Sequence, residues 1–306
     1  LPKKRRRWYK MANSIAKFKK YVPLLDEVYK KAALTSVLDS DASLAQAGAN
    51  ADEIIIPKID MDGLGDYDRA SGYTNGDVTF TNETVKFNYE RGRMFTIDAM
   101  DDEETAGLAY GKLASEFIRT KVAPEGDAFR FAQYCGTTGI GSATGTLNTG
   151  ADVIAALRTA ITTMDEAEVP YENRYLFITP TLKGLTDDLD TIKSKEVFNR
   201  FAQIIEVPQT RFYTAIDLKD GKTSGETSGG YVKHVSTGAS DEAGKDINFM
   251  VIEKSAIMQY NKHIAPKVIT PEANQDADAW KFGYRKYGLA DVYENKVAGL
   301  YVHHKA

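Results

Sequence analysis

The residues of this chain best suited to chemistry are few. Histidines stand at positions 234, 263, 303 and 304, and the one cysteine is Cys135. The histidines follow no metal-ligand spacing. His303 and His304 are adjacent near the end of the sequence, where a frayed polar end is a simpler reading than a metal site. A lone cysteine excludes a disulfide within the chain and fits a reducing compartment. Asp101, Asp102, Glu103 and Glu104 put four carboxylates in a row. A cation site there would need a histidine or a glycine-punctuated calcium loop beside it. Neither accompanies the run, and acids in the first turn of a helix explain it through the helix dipole. Gly139, Gly141 and Gly145 superficially match a nucleotide loop, but the spacing is wrong and no Lys-Ser or Lys-Thr pair follows. Residues 136–150 are therefore expected to be a flexible link or domain boundary. No nucleophile and base, metal cluster or phosphate loop assembles from these pieces. The sequence predicts no catalytic residue, no metal and no cofactor, and so a protein that is not an enzyme.

The elements around 84–122 are more informative. Val85, Phe87, Tyr89, Arg91, Arg93, Phe95 and Ile97 alternate with Thr84, Lys86, Asn88, Glu90, Gly92, Met94 and Thr96. That period of two predicts one strand of about 14 residues, roughly 45 Å long at ~3.4 Å per residue. A compact domain of this chain's length has a radius of gyration of only about 19 Å, so the strand is expected to project. Upstream, 53–60 reads as a short strand in which Pro57 suits an edge or bulge. Asn75-Gly76 is a strong hairpin-turn pair. Residues 52–97 therefore read as a long two-stranded ribbon with a polar tip. Such a ribbon is marginal alone in water, and a neighbouring subunit is the economical support. Arg91 and Arg93 fall on its otherwise apolar face, so each needs a partner or a route to solvent. With Arg69 and Tyr73 at the tip and Glu103 and Glu104 beyond the strand, they are the candidate intersubunit contacts. A solvated surface charge is the alternative for each.

Asp98 is a natural N-cap for a helix running to about Val122, with Leu108, Leu113, Phe117 and Ile118 on its apolar side and Arg119 and Lys121 closing it. Pro124 is expected to break that helix, which resumes over 127–134. Residues 11–38 also read as helical. From Ala151 the pattern becomes α/β. Val153, Leu157, Ala160, Ile161 and Met164 mark an amphipathic helix, and Pro180 opens another. Short strands are expected at 175–178, 204–205, 212–218, 249–252, 256–260 and 268–269, with a Gly/Ser/Thr loop at 220–230. The aromatic, alternating segment 279–302 reads as core and inter-strand packing rather than base stacking, since no basic groove surrounds it.

Bulk composition fits these elements. The chain has 306 residues, 42% hydrophobic and 27% charged, enough for a large core or about two domains. No apolar run approaches the ~18 residues of a membrane span. Residues 1–10 carry Lys3, Lys4, Arg5, Arg6, Arg7 and Lys10 without an acid. They read either as a basic arm for nucleic acid or as translated leader. In the second reading AGG-AGG, a bacterial ribosome-binding sequence, supplies the arginines ahead of a start at Met11. Removing those six charges takes the formal net charge from −4 to −10, a poor balance for reading DNA sequence.

The order of short N-terminal arm, long hairpin, acid-capped helix and α/β domain closed by C-terminal strands resembles the major capsid proteins of tailed bacteriophages, of the Hong Kong 97-like fold. The stretches 20–29 (KYVPLLDEVY), 89–98 (YERGRMFTID), 116–130 (EFIRTKVAPEGDAFR), 178–180 (ITP) and 288–293 (GLADVY) onward to Val302 are similar to capsid proteins of phages of Gram-positive bacteria. The resemblance implies an α+β fold. It divides the chain into an N-terminal arm (11–51), an extended loop (52–97), a spine helix with the first part of a peripheral domain (98–150), an axial domain (151–265) and C-terminal strands returning to the peripheral domain (266–306). It further implies hexamers and pentamers tiling an icosahedral virion shell around DNA touched non-specifically, assembled in the host cytoplasm. Expected partners are a separate scaffolding protein, a portal and a maturation protease, with no membrane. The arm is too short to hold a cleavable scaffold domain. The loop from Met61 to Asn75 has no lysine, so covalent cross-linking of a loop lysine to a neighbour is disfavoured. An encapsulin-like shell around a cargo enzyme, an α/β enzyme and a monomeric tail component are the alternative readings.

Overall fold

The computed structural model describes residues 33–40, 46–47, 53–104, 113, 116–189, 192–238 and 241–306. The expected helix over 11–32 and the leader at 1–10 lie outside them. After a short helical turn at Leu34–Leu38 come strands β1 (Gln46–Ala47), β2 (Glu53–Met61), β3 (Val78–Lys86) and β4 (Tyr89–Asp98). Helices α1 (Ala99–Glu104) and α2 (Ala123–Cys135) follow, then β5 (Gly141–Thr144), α3 (Gly150–Glu166), β6 (Arg174–Ile178), α4 (Pro180–Asp187) and α5 (Ile192–Phe198). The strands of the remainder, linked in part by short helical turns, are β7 (Gln203–Glu206), β8 (Ile216–Leu218), β9 (Tyr231–Lys233), β10 (Ile247–Glu253), β11 (Ile257–Ile269), β12 (Ala279–Val292) and β13 (Leu300–His304).

The α/β half is a sheet of order β5-β13-β10-β6-β7 with helices on both faces. Every residue of β10 is buried. Met250 and Ile252 pack with Phe131 and Tyr134 of α2, while Phe249 and Val251 pack with Val153 and Leu157 of α3. Covering both faces is why the apolar runs Leu176–Ile178 of β6 and Phe249–Ile252 of β10 do not alternate with polar residues. Each such side chain contributes roughly 1.5–3 kcal/mol of burial. Thr149 and Asp152 start α3 with a reciprocal capping box, each side chain accepting from the other's backbone N–H at 3.2 and 3.0 Å.

Several expectations need correcting. The link 136–150 contains β5, which pairs in parallel with β13 and extends the sheet. The segment 300–304 is not a frayed end: β13 lies between β5 and β10, and His303 is only 5% exposed. The C-terminal segment therefore divides, β12 joining β4 and β13 joining the α/β sheet. Residues 257–260 and 268–269 belong to one 13-residue strand, β11, and Ala256 ends the helical turn before it. Of 212–218 only Ile216–Leu218 is strand. Pro124 does not break its helix. A widened π-type turn over Ile118–Val122 leads directly into α2, with helical backbone on both sides of Ala123. Widening that turn accommodates a residue that cannot donate a backbone hydrogen bond and would clash with the carbonyl four residues back.

The largest correction concerns the long strand. It is two strands in two sheets, because the chain leaves one ladder at Lys86 and enters another at Tyr89. β3 pairs with β2, while β4 pairs with β12 from Tyr89↔Gly288 to Asp98↔Ala279. Asn88 makes the switch. Its side-chain amide donates to Ala290 O at 2.8 Å and accepts from Ala290 N–H at 3.1 Å, standing in for one backbone pair of the ladder. The partner of β4 is thus the chain's own C-terminal segment, with Gly92 opposite Arg285. Phe117, next to the π-type turn, rests on that sheet through Phe95, Phe282 and Tyr284.

Candidate assembly surface

Among the described residues the β2–β3 hairpin is anchored at its base. Ile54, Ile56 and Val85 at its base are buried against Met258, Tyr260 and Leu289 of β11 and β12. Lys58 then ties its waist to the body, pairing with Glu83 across the hairpin at 2.9 Å and with Glu294 beyond β12. Among the described residues β1 meets β2 at Ile54 and Ile55, and Pro57 lies in β2 opposite Asn82 of β3. Further out the apolar residues change face. Ile59 pairs with Phe80 and Met61 with Val78, and Ile59, Phe80, Met61 and Val78 are 57%, 61%, 65% and 70% exposed. Because side chains alternate along a strand, this face is opposite to the one that holds Ile54 and Ile56. The ribbon therefore carries two apolar faces: one at the base, used by the chain itself, and one at the distal end, open to solvent.

The tip is the loop 62–77, between Met61 at the end of β2 and Val78 at the start of β3. Asp62 closes it, its backbone N–H donating to Asp77 O and its carboxylate accepting from Asp77 N–H at 2.8 Å. Inside the loop Asp68 and Gly72 form a tight turn, with Gly72 at φ +84°, a left-handed backbone suited to glycine. Asp68 holds the turn by accepting from Ala70 N–H and Ser71 Oγ, both at 2.9 Å. Arg69 is exposed within it, and Tyr73 is exposed while meeting Tyr67 edge to face at 4.8 Å. Leu64 is fully exposed beside them.

Arg91 and Arg93 find partners within the chain. Arg91 Nε donates to Glu125 Oε1 on α2 at 2.7 Å, and its Nη2 donates to Lys219 O at 2.7 Å. Arg93 Nη2 donates to Thr227 O at 2.9 Å. The Gly/Ser/Thr loop between β8 and β9 is thus laid across β4. Gly221 and Gly229 both take positive φ where the loop passes Arg93, a backbone that favours glycine. Glu103 and Glu104 are on α1, and their side chains fall outside the described residues. Asp98 does cap α1, accepting from Met100 N–H at 3.0 Å.

Sequence reasoning missed a buried cluster at the root of the arm. Asp127, fully buried on α2, accepts from Leu34 N–H, Thr35 N–H, Thr35 Oγ1 and Arg211 Nη1 at 2.9, 3.1, 2.7 and 2.9 Å. Arg130 donates to Thr35 Oγ1 at 2.7 Å, and Gln259 Nε2 donates to Thr35 O at 2.7 Å. Residues 34–38 are held in place by three elements distant in sequence. The one available signal was an acid and a base, Asp127 and Arg130, on the apolar side of a helix.

Among the described residues no group of three or more His, Cys, Asp or Glu is placed to hold a metal. Cys135 is half-buried, and burial pushes its thiol pKa up, away from reactivity. None of the described helices is long and apolar enough to cross a membrane.

An α/β sheet, a second sheet of order β11-β12-β4 and a hairpin packed at its base make up the chain, and it has the Hong Kong 97-type fold of phage capsid proteins. Solved structures agree in architecture over nearly the whole chain. A structure from Mycobacterium phage Che8 matches with TM-score 0.62 at 14% identity, covering 96% of this chain and 98% of that one. The capsid of cyanophage P-SCSP1u matches with TM-score 0.59 at 12% identity, covering 94% and 93%. The capsid of Staphylococcus phage Andhra matches with TM-score 0.56 at 11% identity, covering 97% and 90%. No protein-family model matches the sequence, and no curated protein matches it.

Proposed function

We propose that this chain is the major capsid protein of a tailed phage or prophage, closing into hexamers and pentamers of an icosahedral head around double-stranded DNA. The observation that carries the reading is the distal face of the hairpin. Ile59, Met61, Val78 and Phe80 form a contiguous apolar patch on an arm whose own base is fully committed. Patches of this kind mark protein interfaces, and the capsid-type fold supplies the class of partner: another copy. Contacts of one copy's arm with the next copy's body are heterologous, and they close a ring only at the right rotation. In the same reading Arg69 and Tyr73 touch a neighbour at the loop tip, and Glu103 and Glu104 pair along the spine. Arg91 and Arg93 act indirectly, by holding the β8–β9 loop across β4. The domain divisions expected above, with β13 reassigned to the axial sheet, belong to this reading. So do a separate scaffolding protein, portal and maturation protease, and a function without catalysis.

The test is electron microscopy of the chain expressed with its neighbouring genes, followed by analysis of particle contents. Isometric shells or regular rings containing DNA are expected. Shells filled with one enzyme would move the protein to the encapsulin-like reading. A chain that stays monomeric beside a scaffold would overturn both.

A further inference from the structure

One imidazole joins β8 to the segment that follows β9. His234 Nδ1 lies 2.7 Å from Asp217 Oδ1 on β8, and His234 Nε2 lies 2.8 Å from Asp241 Oδ1. A neutral ring has a single N–H and can donate to one of these carboxylates only; its other nitrogen would then present a lone pair to a carboxylate oxygen. The imidazolium alone satisfies both contacts. The two aspartates are the charged groups that face the ring, and the adjacent Lys233 is engaged by Asp246 at 2.7 Å. Asp241 is itself held in place, since its Oδ2 accepts from Thr237 N–H at 2.9 Å and Thr237 Oγ1 at 3.1 Å. Backbone bonds frame the ring, His234 N–H to Ala215 O at 3.1 Å and Gly244 N–H to His234 O at 3.0 Å.

We propose that Asp217, His234 and Asp241 form a proton-operated clasp, which fastens Asp241 to β8 while the ring is charged and lets it go when the ring is neutral. The hydrogen bonds to Asp217 and then Asp241 raise the pKa of His234 above its ordinary value. Hydrogen bonds from Thr237 and then His234 lower that of Asp241. The sign follows from linkage. The histidine's contribution is complete below its unfolded pKa and is lost as pH rises through the raised folded value. The aspartate's contribution is complete above its unfolded pKa and is lost as pH falls through the depressed one. The clasp is closed between these limits, and its closure does not depend on assembly.

Amide hydrogen exchange on the full chain tests it, read at Thr237 and Gly244 with Met250 and Val251 of β10 as internal reference. After correction for the intrinsic rate, protection at Thr237 and Gly244 should fall by about tenfold per pH unit above the ring's pKa, as expected for opening coupled to one proton. In His234→Gln the fall should vanish, and in Asp217→Asn it should move to lower pH. Nitrogen NMR of the ring should show both nitrogens protonated at about pH 6, below the ordinary pKa. Protection that stays flat in the wild type, an unchanged slope in His234→Gln, or a singly protonated ring at that pH would each overturn the clasp.

Discussion

At the scale of single residues the chain is held by buried polar groups whose loss has predictable signs. Asp127 is fully buried and Arg211 is 3% exposed. Removing one partner of such a pair strands the other's charge, at a cost of about 3–5 kcal/mol. Asp127→Ala should therefore lower the unfolding free energy from urea titration by that much and expose residues 34–38 to limited proteolysis. An unchanged urea midpoint would show that the cluster is not what secures the arm root. His303 gives a prediction of opposite sign to His234. Asn248 Nδ2 donates to His303 Nδ1 at 2.9 Å, so the ring is neutral with its proton on Nε2, and it stacks on Phe249 at 5.2 Å. Burial, with the nearby His304, depresses its pKa. The stabilisation is complete above the unfolded value of about 6.5 and declines as pH falls toward the depressed one. The His303 ring should stay neutral by NMR when free histidine is half charged; a titration midpoint at or above the ordinary value would contradict the burial argument.

At the scale of elements the two apolar ends of the hairpin should separate cleanly on mutation. Ile54→Ala removes a buried anchor and should destabilise the subunit by about 2–5 kcal/mol. Ile59→Ser with Phe80→Ser changes exposed residues, so the subunit should lose less than about 0.5 kcal/mol per site. The same double variant should still abolish particle formation, because each side chain buried in an interface is worth roughly 1.5–3 kcal/mol. Thermal denaturation and sedimentation velocity read the two effects; a double variant that assembles normally would remove the distal patch from the interface. The elements also show where periodicity has force. Alternation placed Tyr89, Phe95 and Ile97 on one face of β4, and that is where they pack. Alternation could not reveal that the ladder partner changes at Asn88, since Val85 and Tyr89 keep the same parity on either side of the switch. Nor could it reveal the π-type turn, which lets helical backbone pass Pro124.

At the scale of the whole molecule, a shell joined through an apolar ribbon should respond to temperature more than to salt. Hydrophobic association weakens on cooling, whereas screening dissolves only exposed ion pairs. Particles are expected to form less completely near 4 °C than near 30 °C, and to survive about 0.5 M salt, where the Debye length is only a few ångströms. Light scattering across both variables checks this, and assembly that improves in the cold while failing in salt would point to charge pairing instead. By itself the sequence determined the local preferences: the acid cap at Asp98, the amphipathic helix from Val153 to Met164 and the short strands at 175–178 and 249–252. These are effects of neighbours in sequence, set by backbone geometry and period. The tertiary structure decided the pairing of β4 with β12, the central place of β13, the Asp127 cluster and the two-carboxylate ring at His234. Each joins residues brought together only by the fold, and side-chain period carries no information about which segment completes a ladder or neutralises a charge.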